Sequence, residues 1–162
     1  MRLSRTINPR PIMSKVSDVL KLAHQRAIDA NLPYDGAVLP VEALSLLGEA
    51  DSAILVDVRT KAELDWVGFV PGAIHLEWQN YPAGQRNEEF LEQLRQVVPE
   101  DALLLFLCRS GVRSHAAASA AAAAGLGSCY NILHGFEGDR DDQGHRNGLN
   151  GWRAAGLPWK QG

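Results

Sequence analysis

Cysteine is scarce in this chain: 2 residues of 162, at positions 108 and 129. So low a count excludes a disulfide framework, and neither thiol has a second cysteine near enough in sequence for a zinc knuckle. A basic surplus is also missing. The chain sets 16 Lys and Arg against 19 Asp and Glu, a net charge of −3, which excludes the broad positive field that nucleic-acid binders carry. No apolar run approaches the roughly 20 residues of a membrane-spanning helix. The opening stretch MRLSRTINPRPIMSKVSDVLKL starts basic but has no continuous apolar segment, so it reads poorly as a secretory leader. The expectation is a soluble protein of a reducing, cytoplasmic compartment, with no nucleic-acid and no membrane partner. No internal repeat is visible.

What the chain does have is apolar residues at 46%, enough for one domain with a substantial core, and a hydrophobic period that changes along its length. Residues 1–12 carry two prolines and little periodicity and are read as a flexible arm. Val16, Val19, Leu20, Ala23 and Ala27 recur at helical spacing, predicting an amphipathic helix over 14–30 that ends in NLPYDG. Residues 13–36 are therefore assigned to an N-terminal helix and linker, and 37–162 to the domain proper. In AVLPVEALSLLGEA a short strand precedes a helix entered at Pro40. AILVDVR (53–59) and GAIHLEW (72–78) read as strands, the first buried on both faces. Phe90, Leu91, Leu94, Val97 and Val98 share one helical face before Pro99.

ALLLFLC (102–108) is the most apolar strand, SHAAASAAAAAG the helix behind it with Gly125 as its stop, and CYNILHG a last short strand. Strands alternating with helices predict the α/β class, a parallel sheet with helices on both faces. The stretch from Gly135 to Gly151 is glycine-rich and charged. It is expected to form a surface loop, either a rim over Cys108 or a partner-facing segment.

Cys108 ends the most apolar strand, and in open α/β sheets chemistry sits at the carboxyl ends of strands. Cys108, Arg109, Ser110, Gly111, Val112 and Arg113 must turn the chain from strand to helix, and Gly111 lets the backbone bend its amides inward. Such a turn is an anion-binding nest. The following helix adds unpaired amides and the positive end of its dipole, and Arg109 and Arg113 add charge. Together these favour a thiolate, which is a nucleophile. Small alanines let that helix lie close to the sheet without weakening it. A buried cysteine that merely finishes a strand is the alternative.

Three stretches, ILVDVRTKAEL, GFVPGAIHL and LCRSGVRS, occur in the order of the signatures of the rhodanese-like sulfurtransferases and resemble them. The likeness runs over about residues 37 to 160, and GFEGD through NGWRAAGLPW is similar to the C-terminal stretch of single-domain members. Phe69 stands where that family usually carries His, and one extra residue separates Arg59 from Gly68. The resemblance implies a rhodanese-like fold, a five-stranded parallel sheet of order 1-5-4-2-3. It also implies a sulfane-sulfur carrier that needs no metal and no organic cofactor. Cys108 would take sulfur from a small-molecule donor such as thiosulfate and pass it to cyanide or a thiol, of a small molecule or of a protein. Amides of Ser110, Gly111, Val112 and Arg113 would surround the terminal sulfur, while Arg109 and Arg113 hold the anionic donor. Asp57 and Arg59 would lie beside the loop, either touching substrate or forming a structural ion pair, with Ser114 in support.

A cysteine loop with arginine also suits phosphatases and arsenate reductases. Those place the arginine one residue further on, where this chain has Ser114. A rhodanese-like interaction module without catalysis is the other alternative, although such modules commonly lack the cysteine. Cys129 reads as a buried apolar residue, His115 as a packing or solvent-facing side chain, and His24, His134 and His145 have no ligand spacing. DRDDQGHRNGLN (139–150) superficially matches a calcium loop. Gln143 and Asn150 occupy ligand positions that need acids, however, and no helix precedes it. Trp66, Trp78, Trp152 and Trp159 are expected to be core and rim anchors.

Overall fold

The structure, a computed structural model, describes the backbone of residues 12–162 and the side chains of residues 15–162. The arm expected at 1–12 lies, Ile12 aside, outside the described residues. In chain order the elements are α1 (Ile12–Asp29), β1 (Gly36–Val38), α2 (Pro40–Glu49), β2 (Ala53–Asp57), α3 (Lys61–Val67), β3 (Ile74–His75), α4 (Phe90–Val97), β4 (Leu103–Leu107), α5 (Val112–Ala123) and β5 (Ser128–Ile132). The five strands pair in the order β1-β5-β4-β2-β3, all parallel, as the sequence resemblance implies.

The sheet is buried on both faces, which is why its central strand reads as an unbroken apolar run. All five residues of β4 are buried. Alternation sends Leu104, Phe106 and then Cys108 to one face, where α4 and α5 supply Phe90, Leu94, Ala117, Ala118 and Ala121. Leu103, Leu105 and Leu107 point to the other, against Ala23 of α1 and Ala43 and Leu46 of α2. Arg26 of α1 ties that second layer together, donating to the Ala37 carbonyl at 2.9 Å and to both Glu42 carboxylate oxygens at 2.6 and 3.0 Å. The N-terminal helix thus shares the core of the sheet.

Two elements differ from the sequence expectation. The strand expected over 72–78 shortens to Ile74 and His75, which pair with Val56 and Asp57 at the sheet edge, while beyond them the Leu76 and Trp78 amides still donate to the Asp57 and Val58 carbonyls at 3.0 and 3.1 Å. Helix α3 was not expected. Its start is a capping box, in which the Glu63 amide donates to Thr60 Oγ1 at 3.3 Å while Glu63 Oε2 accepts from the Thr60 amide at 2.8 Å. Trp152 and Trp78 are buried, as expected of anchors, but Trp66 on α3 is 71% exposed and anchors nothing. Among the described residues no helix is long and apolar enough to cross a membrane.

Candidate active site

From β2 the chain moves outward to β3, and from β4 it moves outward to β5 on the other side. The carboxyl ends of β2 and β4 therefore flank the switch point of the sheet, where open α/β folds bind ligands. Cys108 follows β4 directly; Asp57 ends β2 and Arg59 lies two residues on.

Cys108 is 1% exposed, and its sulfur is held by the turn that follows. Gly111 adopts φ +105°, in the left-handed region that a side chain resists, and this aims its amide at the sulfur with N···Sγ 3.1 Å. Gly111 is also the residue before α5, so the sulfur lies beside the positive end of a 12-residue helix. The strand end is clamped from behind. The Phe136 amide donates to the Cys108 carbonyl at 2.8 Å and the Glu137 amide to the Arg109 carbonyl at 3.0 Å. Gly135 permits that approach: a Cβ there would lie 2.5 Å from the Cys108 carbonyl oxygen.

The Gly135–Gly151 segment thus grips the backbone of the site with its first residues. Its middle is self-contained, with Asp141 Oδ1 accepting from the amides of Gln143 and His145, both at 2.9 Å. One oxygen of Asp141, the third position of the calcium-like stretch, is thus already taken by the turn's own backbone.

A polar chain runs from the sulfur into β5. Ser114, fully buried, places Oγ 3.2 Å from Cys108 Sγ and donates to Asn131 Oδ1 at 2.6 Å; Asn131 Nδ2 returns to the Gly111 carbonyl at 3.2 Å. With the single Ser114 proton on Asn131, a Cys108 thiol donates to Ser114, and a thiolate draws that proton back by rotation of the hydroxyl. Sequence reasoning missed Asn131. Its signal is a polar residue inside the apolar strand CYNIL, a position that must be satisfied if buried. Replacing Asn131 with Ala is expected to lower the kcat of a reaction in which Cys108 acts as nucleophile about tenfold, the worth of one good hydrogen bond. The KM for its substrate stays within about twofold, and steady-state kinetics check both. An equal loss through KM alone counts against a role in positioning Ser114.

The two loop arginines are not equivalent. Arg109 is exposed and its side chain has no hydrogen-bond or ion-pair partner among the described residues. Arg113 reaches to α3, where Nη1 and Nη2 each donate to an oxygen of Glu63 at 2.7 Å. Glu63 was not among the expected site residues; a Thr three residues before a Glu is the local signal that could have found the helix holding it. Burial pushes its carboxyl up, but the Arg113 guanidinium and the Thr60 amide and hydroxyl outweigh burial and hold it down at about 2.

A depressed carboxylate stabilises the fold above its ordinary value near 4.5 and loses that stabilisation as pH falls toward 2. Melting of the wild type is therefore expected to weaken between these limits by up to about 3 kcal/mol. Glu63→Gln should flatten that part of the profile. Parallel acid profiles for the two proteins would refute the assignment.

Asp57 and Arg59 form a closed pair with 1% and 0% side-chain exposure. Asp57 accepts from the Arg59 amide at 3.1 Å, from Nε at 3.0 Å and from Nη2 at 2.7 Å. Arg59 Nη2 also donates to the Gly68 carbonyl at 2.9 Å, and the guanidinium stacks 4.2 Å from the Phe136 ring centre. This is the geometry of a structural ion pair steadying the end of β2. Val112 is 75% exposed. Cys129 opposes Leu104 across the sheet, about 13 Å of strand before Cys108. Burial, and then the Asp35 charge, push its thiol up to about 12, so it makes a poor resolving thiol.

Fold and site together define a class of protein, parallel α/β domains that present one cysteine on a strand-to-helix loop at the sheet's switch point. The family model of the Rhodanese-like domain matches residues 39–141, and the chain belongs to that family. The Rv0390 protein of M. tuberculosis has a similar structure, with a TM-score of 0.73 and 43% sequence identity, covering 80% of this chain and 99% of that one. An uncharacterised protein of Rickettsia conorii is 37% identical over 128 residues, 76% of this chain and 95% of its own length. A protein named sulfurtransferase, from Allochromatium vinosum, is 30% identical over 112 residues, 69% of this chain and 82% of its own.

Proposed function

We propose that this protein is a sulfurtransferase that moves sulfane sulfur from thiosulfate or a similar donor to cyanide or a thiol through a persulfide on Cys108. The observation that carries the reading is the seat of the Cys108 sulfur: the Gly111 amide donates to it at the head of α5, where negative charge on sulfur is favoured. In the first half-reaction the Cys108 thiolate attacks the outer sulfur of thiosulfate. A new S–S bond forms, the donor's S–S bond breaks, and sulfite leaves with the electron pair. The persulfide anion that remains carries one negative charge at its terminal sulfur. Amides of Ser110, Gly111, Val112 and Arg113 at the start of α5 stabilise it.

In the second half-reaction cyanide, or the thiolate of a small molecule or protein, takes the terminal sulfur and returns the Cys108 thiolate. No metal and no organic cofactor enters either step. Two free thiols in one chain suit a reducing, cytoplasmic setting. The test is intact-mass spectrometry after incubation with thiosulfate. The expected result is a gain of one sulfur atom that cyanide discharges as thiocyanate. No adduct from thiosulfate or from mercaptopyruvate would remove the basis of the reading and leave the phosphatase or arsenate-reductase and binding-module alternatives, which phosphate-ester and arsenate assays and then partner capture decide.

A further inference from the structure

We infer that Glu63 sets the charge preference of the donor site, neutralising Arg113 so that singly charged sulfur donors are favoured over the thiosulfate dianion. The inference rests on the sulfurtransferase reading above and deepens it. Both terminal nitrogens of Arg113 are committed to one carboxylate at 2.7 Å, with side-chain exposures of 17% and 19%. The pair is therefore shielded from water on most sides and screened less than a surface pair. Arg59, the other cation at the switch point, is neutralised by Asp57. Arg109, exposed on the loop, is left as a cation with no carboxylate partner among the described residues.

Of the arginines on the loop and at the switch point, Arg109 alone is left unbalanced, a surplus of about one positive charge beside loop amides that already balance part of an anion. A donor with one negative charge is matched. A dianion carries a second charge that meets the Glu63–Arg113 pair, where attraction to the guanidinium is offset by repulsion from the carboxylate. Glu63 is placed to do this by its own helix: the same carboxylate that caps α3 through Thr60 faces α5 across the site. It is a specificity-determining residue and takes no part in bond making.

The pair of donors that isolates charge is thiosulfate and methanethiosulfonate. They share the outer sulfur and the oxidised inner sulfur, and a methyl group replaces one charged oxygen. With either, the Cys108 thiolate takes the outer sulfur, and sulfite or methanesulfinate departs with the electron pair of the broken S–S bond. Wild type is expected to show the higher kcat/KM with methanethiosulfonate. Glu63→Gln, whose amide can keep the capping box, is expected to shift the ratio toward thiosulfate about tenfold, the scale of one unit charge in a partly buried site. Glu63→Asp keeps the charge and should leave the ratio within about twofold of wild type.

An unchanged ratio in Glu63→Gln, with Cys108 still loaded by both donors, overturns the inference and leaves sulfur transfer standing. If neither donor loads wild-type Cys108, the sulfurtransferase reading fails and takes the inference with it. Should Glu63→Gln not fold, the wild type decides alone, because a preference for thiosulfate over the monoanion contradicts the proposal.

Discussion

Cys108→Ser is expected to abolish sulfur loading while leaving the fold intact. A serine hydroxyl fits where the thiol sits, and it can still accept from the Gly111 amide and share the hydrogen bond with Ser114. Thermal melting should therefore move little. The chemistry has no such tolerance. A hydroxyl is not ionised near neutral pH and forms no persulfide, so turnover should fall by at least about a thousandfold, as when other covalent enzymes lose their nucleophile. Cys129→Ala serves as the control: that thiol sits in the core beside Leu104, and its loss should leave sulfur loading unchanged. Intact mass of the three proteins after thiosulfate treatment reads the result directly. A sulfur adduct on Cys108→Ser, or its loss in Cys129→Ala, would move the site to the other cysteine and overturn the proposal.

The largest effect on stability is expected from Asp57→Asn. The substitution preserves shape and removes the charge that balances Arg59, a guanidinium with no exposed surface and with Nη1 already lacking a hydrogen-bond partner among the described residues. Breaking a buried pair by neutralising one partner costs about 3–5 kcal/mol, a large share of the roughly 5–15 kcal/mol that holds a domain of this kind together. For a chain of 162 residues the melting temperature should drop by roughly 10 °C. Asp57→Asn combined with Arg59→Met should recover most of the loss, because an apolar pair of similar volume in place of buried ions is often neutral. Urea denaturation of the two single variants and the double variant tests this as a cycle. A single-variant loss under about 1 kcal/mol would mean that Arg59 finds other compensation and that the pair does not steady β2.

The site was unevenly legible in the sequence. Cys108, Gly111 and the head of α5 could be placed because they are consecutive: an apolar run must end, the chain must turn, and a glycine before an alanine-rich helix shows where. Helix α3 carried a local signal too, in the Thr60–Glu63 capping pair, but at seven residues it is too short for a hydrophobic period. The partner of Arg113 carried no local signal at all. Glu63 lies 50 residues away, and only the pairing of β2 with β4 brings α3 to face α5. An arginine counted from the sequence as free charge is therefore half of an ion pair. Asn131 likewise meets Ser114 across 17 residues because β5 lies beside β4.

By itself the sequence determined the α/β class, the strand that carries the cysteine and the turn that presents it. Each of these follows from short-range periodicity and from what glycine and a helix start do to a backbone. Tertiary structure alone decided which charges near the sulfur are available and which are cancelled, since charge balance depends on groups that chain topology brings together from distant segments. It likewise closed the polar chain from Cys108 through Ser114 to Asn131, which no single segment of the sequence contains.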